Sequence, residues 1–291
     1  MCDDHTAGDN DRFLARTGPS RRDFGAMAGA AGVAMLLPAP ADAREIAGRA
    51  VTIATPDGSA DAWFTAPTGG RHPAVLVWPD IMGLRPAFRQ MGDRLAQSGY
   101  AVLVVNQFYR SARAPIVQPG ESFDQPGVRE KVQPMLKALG ADGTVRDARA
   151  FAAFLDKQPE VDARRGMGVT GYCMGGPMMM RTAAALPERV RAGGSFHGAS
   201  LVTDKPDSPH LLVPRMKGRY LFAIAANDDQ RAPTDKDALR KAFADARVPA
   251  EIEVYAGTMH GWCPPDSRVY DQAQADKAWA RLLATFDAAL A

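Results

Sequence analysis

Three cysteines are spread over 291 residues, and one of them sits where a thiol does chemistry. Cys173 lies in Val169-Thr170-Gly171-Tyr172-Cys173-Met174-Gly175-Gly176, a nucleophile flanked two residues away on each side by glycine. That pattern fits a sharp strand-to-helix turn that thrusts the nucleophile forward. Side chains at the glycine positions would collide with neighbouring backbone. A helix opening behind the sulfur places positive partial charge beside it and favours thiolate. The Met174 N–H then faces the place where an oxyanion would form. An acid and a histidine must follow in that chain order. Asn227-Asp228-Asp229-Gln230-Arg231-Ala232-Pro233 offers Asp228 or Asp229, and Met259-His260-Gly261-Trp262 offers a general base. Nucleophile, acid and base in this order point to acyl transfer through a covalent intermediate.

These residues need a parallel sheet to bring them together. Residues 50–54 and 62–66 flank a Pro-Asp-Gly turn and are expected to pair as a hairpin. Short apolar runs at 74–78, 100–105, 166–171, 192–196, 220–225 and 251–255 read as buried strands. Helical spacing is expected over 86–98, 144–157, 174–185, 234–246 and 269–290, whereas 115–139 reads as an irregular, Pro- and Gly-rich stretch. Alternating strands and helices predict an α/β-hydrolase fold, with a mostly parallel central sheet covered by helices on both faces. Neither a G-x-G-x-x-G after the first strand nor a G-x-x-x-x-G-K-[ST] is present, which removes the two commonest nucleotide-binding uses of such a sheet.

The first forty-three residues read as an address. Arg21-Arg22 precede a weakly apolar Ala/Gly-rich run, 25–37, which ends in an A-x-A-like exit at Ala41-Asp42-Ala43. Paired arginines before such a run resemble a twin-arginine signal. Residues 1–43 are therefore expected to be a cleaved signal peptide handled by the twin-arginine translocase, and 44–291 a single domain in the periplasm or otherwise exported. No stable membrane anchor is expected after cleavage, and Cys2 leaves with the leader. A net charge of +2 without a basic run gives no reason to expect a nucleic-acid partner. The cysteine spacings match neither a disulfide framework nor a metal site, and no metal or cofactor is expected.

Gly171-Tyr172-Cys173-Met174-Gly175-Gly176, Asp229-Gln230-Arg231-Ala232-Pro233, His260-Gly261-Trp262 and Trp78-Pro79-Asp80-Ile81-Met82-Gly83 together resemble the dienelactone hydrolase (carboxymethylenebutenolidase) family. The resemblance implies a hydrolase of small-molecule esters or lactones with a Cys173–His260–Asp229 triad, Asp229 being preferred because it stands four residues before the proline. It implies nucleophile activation by a carboxylate at Asp80, where the family usually has Glu. It further implies oxyanion donation from the Ile81 N–H beside Met174, and an arginine, Arg110, for a substrate carboxylate. The family's second carboxylate-binding arginine falls at Pro264. His197 and Trp262 are expected to line the substrate pocket, and Cys263 lies close enough to raise the question of a bridge to Cys173. Two other readings are a catalytically silent binder of a small acid or lactone and a thiol redox or sensor protein built on Cys173 and Cys263.

Overall fold

The computed structural model describes residues 4–17, 37–40, 42–118, 120–123 and 125–290. The paired arginines, Cys2 and most of the apolar run of the leader lie outside the described residues. What is described of the leader includes helix α1, Asp4–Thr17.

Strands β1 (Ile46–Thr55) and β2 (Gly58–Pro67) form the expected hairpin, in a register running from Ile46 opposite Pro67 to Thr55 opposite Gly58. Then follow β3 (Ala74–Trp78), α2 (Pro86–Gln97), β4 (Ala101–Val105), α3 (Pro126–Leu155), β5 (Met167–Tyr172), α4 (Gly175–Ala185) and β6 (Val190–Phe196). A 3-10 helix over Pro209–Arg215 leads to β7 (Arg219–Ala225), α5 (Ala226–Arg231), α6 (Asp235–Ala246), β8 (Ala250–Tyr255) and α7 (Gln272–Leu290).

The eight strands line up as β1-β2-β4-β3-β5-β6-β7-β8. The β1/β2 and β2/β4 pairs are antiparallel, and every pair from β4 across to β8 is parallel. This is the arrangement expected of an α/β-hydrolase fold. All five residues of β3 and of β4 are buried, as continuous apolar runs predict for strands covered on both faces. One core layer packs Phe151, Met179, Phe222 and Phe243 on one face, and a second packs Phe88, Leu95, Leu282 and Phe286 on the other.

Strand order reverses at β3, with β4 on one side and β5 on the other. Ligand crevices of open parallel sheets form at such a reversal, outside the carboxyl ends of the strands. Asp80 leaves the end of β3 and Cys173 the end of β5, so both stand at that crevice.

One expectation fails here. Residues 126–155 are helical almost throughout, where 115–139 reads as irregular in the sequence. Pro126 occupies the first helical turn, where a missing N–H costs nothing. Gly140, at φ 57° and ψ 176°, then breaks the run, and the chain resumes as the helix expected from 144 onward. Mixed composition hid the first half; Val128, Val132 and Leu139 are its buried stripe. Among the described residues, no helix is long and apolar enough to cross a membrane.

Candidate active site

Backbone crowding at the end of β5 accounts for each glycine of the turn. A Cβ at Gly171 would lie 1.8 Å from the Gly175 carbonyl oxygen, and one at Gly175 would lie 2.3 Å from that of Trp78. A Cβ at Gly176 would meet the Ser195 Oγ at 2.7 Å and the Gly198 Cα at 2.8 Å. With its neighbours stripped to glycine, Cys173 takes φ 52°, a left-handed conformation that costs a non-glycine residue about 1–3 kcal/mol. The strain is held by three backbone bonds. The Cys173 N–H donates to the Phe196 carbonyl at 3.0 Å, and the Cys173 carbonyl accepts from Gly176 N at 3.0 Å and Ala199 N at 3.1 Å. α4 starts two residues later, as the nucleophile turn requires. Among the described residues, neither the Met174 nor the Ile81 N–H is taken up by a hydrogen bond.

His260 is 3% exposed and joins the cysteine to an aspartate. Its Nδ1 lies 2.7 Å from Asp228 Oδ2, its side chain hydrogen-bonds to Cys173, and its backbone N–H donates to Asn227 Oδ1 at 2.8 Å. Burial alone would depress the imidazole's pKa, but the Asp228 carboxylate and the Cys173 thiolate outweigh it and push the value up to about 10. Cysteine, histidine and aspartate thus form a hydrogen-bonded chain of three.

The aspartate is Asp228, which corrects the expectation of Asp229. Residues 226–231 form a helical turn. Successive side chains on a helix diverge by about 100°, so only one of two adjacent aspartates can face His260. Asp229 instead accepts from Lys236 Nζ at 2.7 Å.

Asp80 is buried at the end of β3. Its Oδ1 accepts from Met82 N at 2.9 Å and Arg85 Nη1 at 2.7 Å, and its Oδ2 accepts from Arg85 Nη2 at 3.0 Å. Burial drives its pKa upward against the pull of Arg85, and the Cys173 thiolate and Asp266 push the same way. Arg85 completes its fork on Asp266, through Nε at 2.6 Å and Nη2 at 3.0 Å, and on the Gly83 carbonyl at 3.2 Å. A guanidinium has five N–H groups, and these contacts engage all of them. Arg85, Asp266 and Asn227 were not singled out from the sequence. The only signal was proximity, Arg85 lying five residues after Asp80.

The other expected site residues divide. His197, wholly buried at φ 39°, sets its ring 5.1 Å from that of His260 at 69°. Burial holds its pKa well below 6.5, and the His260 charge adds to the effect. Trp262 stands one ring further back, 6.4 Å from His197 and stacked on Tyr255 at 4.8 Å. Both therefore back the histidine. Arg110 is corrected: its Nη1 and Nη2 donate to Asp147 at 2.8 and 2.7 Å, and its Nη2 also donates to Asp57 at 2.5 Å. That fork is committed to holding α3 against the β1/β2 turn. No disulfide joins Cys173 to Cys263, and burial pushes the latter well above its ordinary pKa.

Comparison with known proteins agrees with the fold. A putative carboxymethylenebutenolidase of Synechocystis is 26% identical over 227 residues, 76% of this chain and 88% of that protein. A probable 2-oxo-3-(5-oxofuran-2-ylidene)propanoate lactonase of Bradyrhizobium is 26% identical over 216 residues, 74% of this chain and 83% of that one. Among solved structures, a putative dienelactone hydrolase from Klebsiella pneumoniae superposes with a TM-score of 0.72 at 23% identity, covering 84% of this chain and 99% of that one. Residues 60–290 match the dienelactone hydrolase family as a whole, and the chain belongs to that family.

Proposed function

We propose that the protein hydrolyses ester or lactone bonds of small molecules through an acyl-enzyme on Cys173, with His260 and Asp228 as its partners. The observation that carries this reading is the single hydrogen-bonded chain from Cys173 through His260 to Asp228, anchored at a strained turn.

The raised His260 pKa favours an imidazolium beside a thiolate in the resting enzyme. The thiolate attacks the carbonyl carbon, and the carbonyl electron pair moves onto oxygen, facing the Met174 and Ile81 N–H groups. Collapse breaks the C–O bond, and the leaving alkoxide or enolate takes the proton from His260. Neutral His260, held by Asp228, then removes a proton from water. The resulting hydroxide attacks the thioester, the C–S bond breaks, and the thiolate re-forms with the imidazolium. Thiolate nucleophiles suit activated esters and enol lactones, whose leaving groups are stabilised. Asp80 acts on the thiol from the β3 side, and Arg85 holds it still. Because Asp80 precedes Ile81, the same clamp fixes one oxyanion donor.

The name of the Bradyrhizobium relative supports lactones as a substrate class. In this reading residues 1–43 are a twin-arginine leader and 44–291 the hydrolase domain, delivered to the periplasm. Intact-protein mass spectrometry with chromogenic esters and enol lactones tests the chemistry. An acyl adduct localised to Cys173, and no turnover by Cys173→Ala, is the expected result. Undiminished turnover by Cys173→Ala defeats the reading.

A further inference from the structure

The groups proposed to react are closed off. Cys173 is 2% exposed, His260 3% and Asp80 8%, so very little of any of the three meets solvent. Most of what surrounds them is core strand or core helix. One element is attached differently. Helix α1 turns the side bearing Thr6, Asp9, Asn10, Phe13 and Leu14 toward the body of the protein and leaves Asp11, Arg12, Ala15 and Arg16 exposed. Its contacts include three polar anchors. Asp9 Oδ2 accepts from Arg231 Nη2 at 2.5 Å and from Asn227 Nδ2 at 3.5 Å, and Asp11 Oδ1 accepts from Arg268 Nη2 at 3.0 Å.

Those anchor points frame the triad. Asn227 and Arg231 bracket Asp228 on α5, and the Asn227 side chain also holds the His260 backbone N–H. Arg268 lies on the segment that leaves His260, two residues after Asp266, the partner of Arg85. One helix therefore bridges the segment carrying the acid and the segment carrying the base. Its ion pairs are partly exposed, Arg231 at 32% and Arg268 at 52% of the side chain. Such pairs are weak singly and screened by salt, so the contact is reversible.

We propose that α1 is an intramolecular plug, docked on α5 and the segment after His260, that closes the approach to Cys173 while the leader is attached. Removing or displacing it opens the site. This goes beyond the hydrolase reading and concerns when that site works.

The test uses the full-length chain carrying Asp9→Lys and Asp11→Lys, which sets α1 against Arg231 and Arg268. Iodoacetamide labelling is followed by peptide mass spectrometry at Cys173 and, as an internal control, at Cys263. The expected result is labelling of Cys173 at least tenfold faster than in the wild type, with Cys263 unchanged. Asp9→Glu with Asp11→Glu should stay slow, and high salt should speed the wild type in the same direction. Cys173 labelling within twofold of wild type in the charge-reversed chain overturns the proposal. So does equal acceleration of both thiols, which would mean general loosening. Ester turnover measured in parallel bears on the hydrolase reading alone, because alkylation needs no acyl chemistry.

Discussion

Adjacent aspartates with opposite surroundings give the sharpest test of the triad. Asp228→Asn keeps the shape of the side chain but removes the charge 2.7 Å from His260 Nδ1. An amide at that place either presents its N–H₂ to the ring, reversing the tautomer, or leaves a neutral oxygen where the imidazolium needs an anion. In serine hydrolases the equivalent change lowers kcat by about 10^4. Here the thiolate itself contributes to holding the proton on His260, so part of the effect survives the substitution. A loss of about 10^2 to 10^4 in kcat/KM is expected, roughly 3–5 kcal/mol of transition-state stabilisation. Asp229→Asn breaks a pair with Lys236 in which both side chains are about a fifth exposed, and such pairs contribute about 0–1 kcal/mol to stability. Its kcat/KM should stay within threefold of wild type. The assay is steady-state hydrolysis of one chromogenic ester by all three proteins, with urea unfolding to show that each is folded. Equal losses in the two variants, or a larger loss in Asp229→Asn, would refute the assignment.

Three further outcomes follow from the geometry. His260 has a folded pKa of about 10 against an ordinary 6.5, so its contribution to stability is complete below about pH 6.5 and is lost as the pH rises through about 10. The difference in unfolding free energy between wild type and Asp228→Asn should accordingly be larger near pH 6.5 than near pH 10; a constant difference would contradict it. Gly171→Ala drives a Cβ into backbone at 1.8 Å and should cost roughly 3 kcal/mol or more by urea unfolding, whereas a loss under about 1 kcal/mol would mean that the turn yields. Asp266→Asn takes from Arg85 one of the two charges that saturate it. That variant should gain severalfold in kcat/KM for a carboxylate-bearing lactone relative to its methyl ester, and an unchanged ratio would show that Arg85 does not face substrate.

What was legible in the sequence is what backbone geometry dictates locally. The glycines around Cys173 are forced by contacts of 1.8–2.8 Å, so the turn left an unmistakable pattern. The strands β3, β4 and β7 carry apolar runs because both faces are covered, and their limits fell within a residue or two of expectation. The choice between Asp228 and Asp229 was not local. It depends on whether 226–231 coils or extends, and six residues rich in Asp and Asn are compatible with either. Position relative to Pro233 could not replace that knowledge, since a helical turn rotates each side chain away from where a loop would put it. Arg110 failed for a related reason. Its type suits an anion, but Asp57, from the hairpin turn, and Asp147, from α3, reach it from far along the chain and occupy the fork first.

The same logic separates the residues that can be reassigned from those that cannot. Cys173 is fixed by its left-handed backbone and by the crowding at Gly171, Gly175 and Gly176, so its place does not depend on which charges surround it. The charges are another matter. Arg110 was the cation expected for a substrate carboxylate; Arg85, beside Asp80, already meets Asp80, Asp266 and Gly83 with its five N–H groups. A substrate carboxylate would have to displace one of two aspartates already in bidentate contact, exchanging one anion for another with no gain in pairing. An acyl group that is neutral at that end meets no such competition. In the proposed reaction Asp266, on the segment that also carries His260, would therefore set which substrate charge Arg85 can accept. Sequence variation there would change specificity without touching the nucleophile.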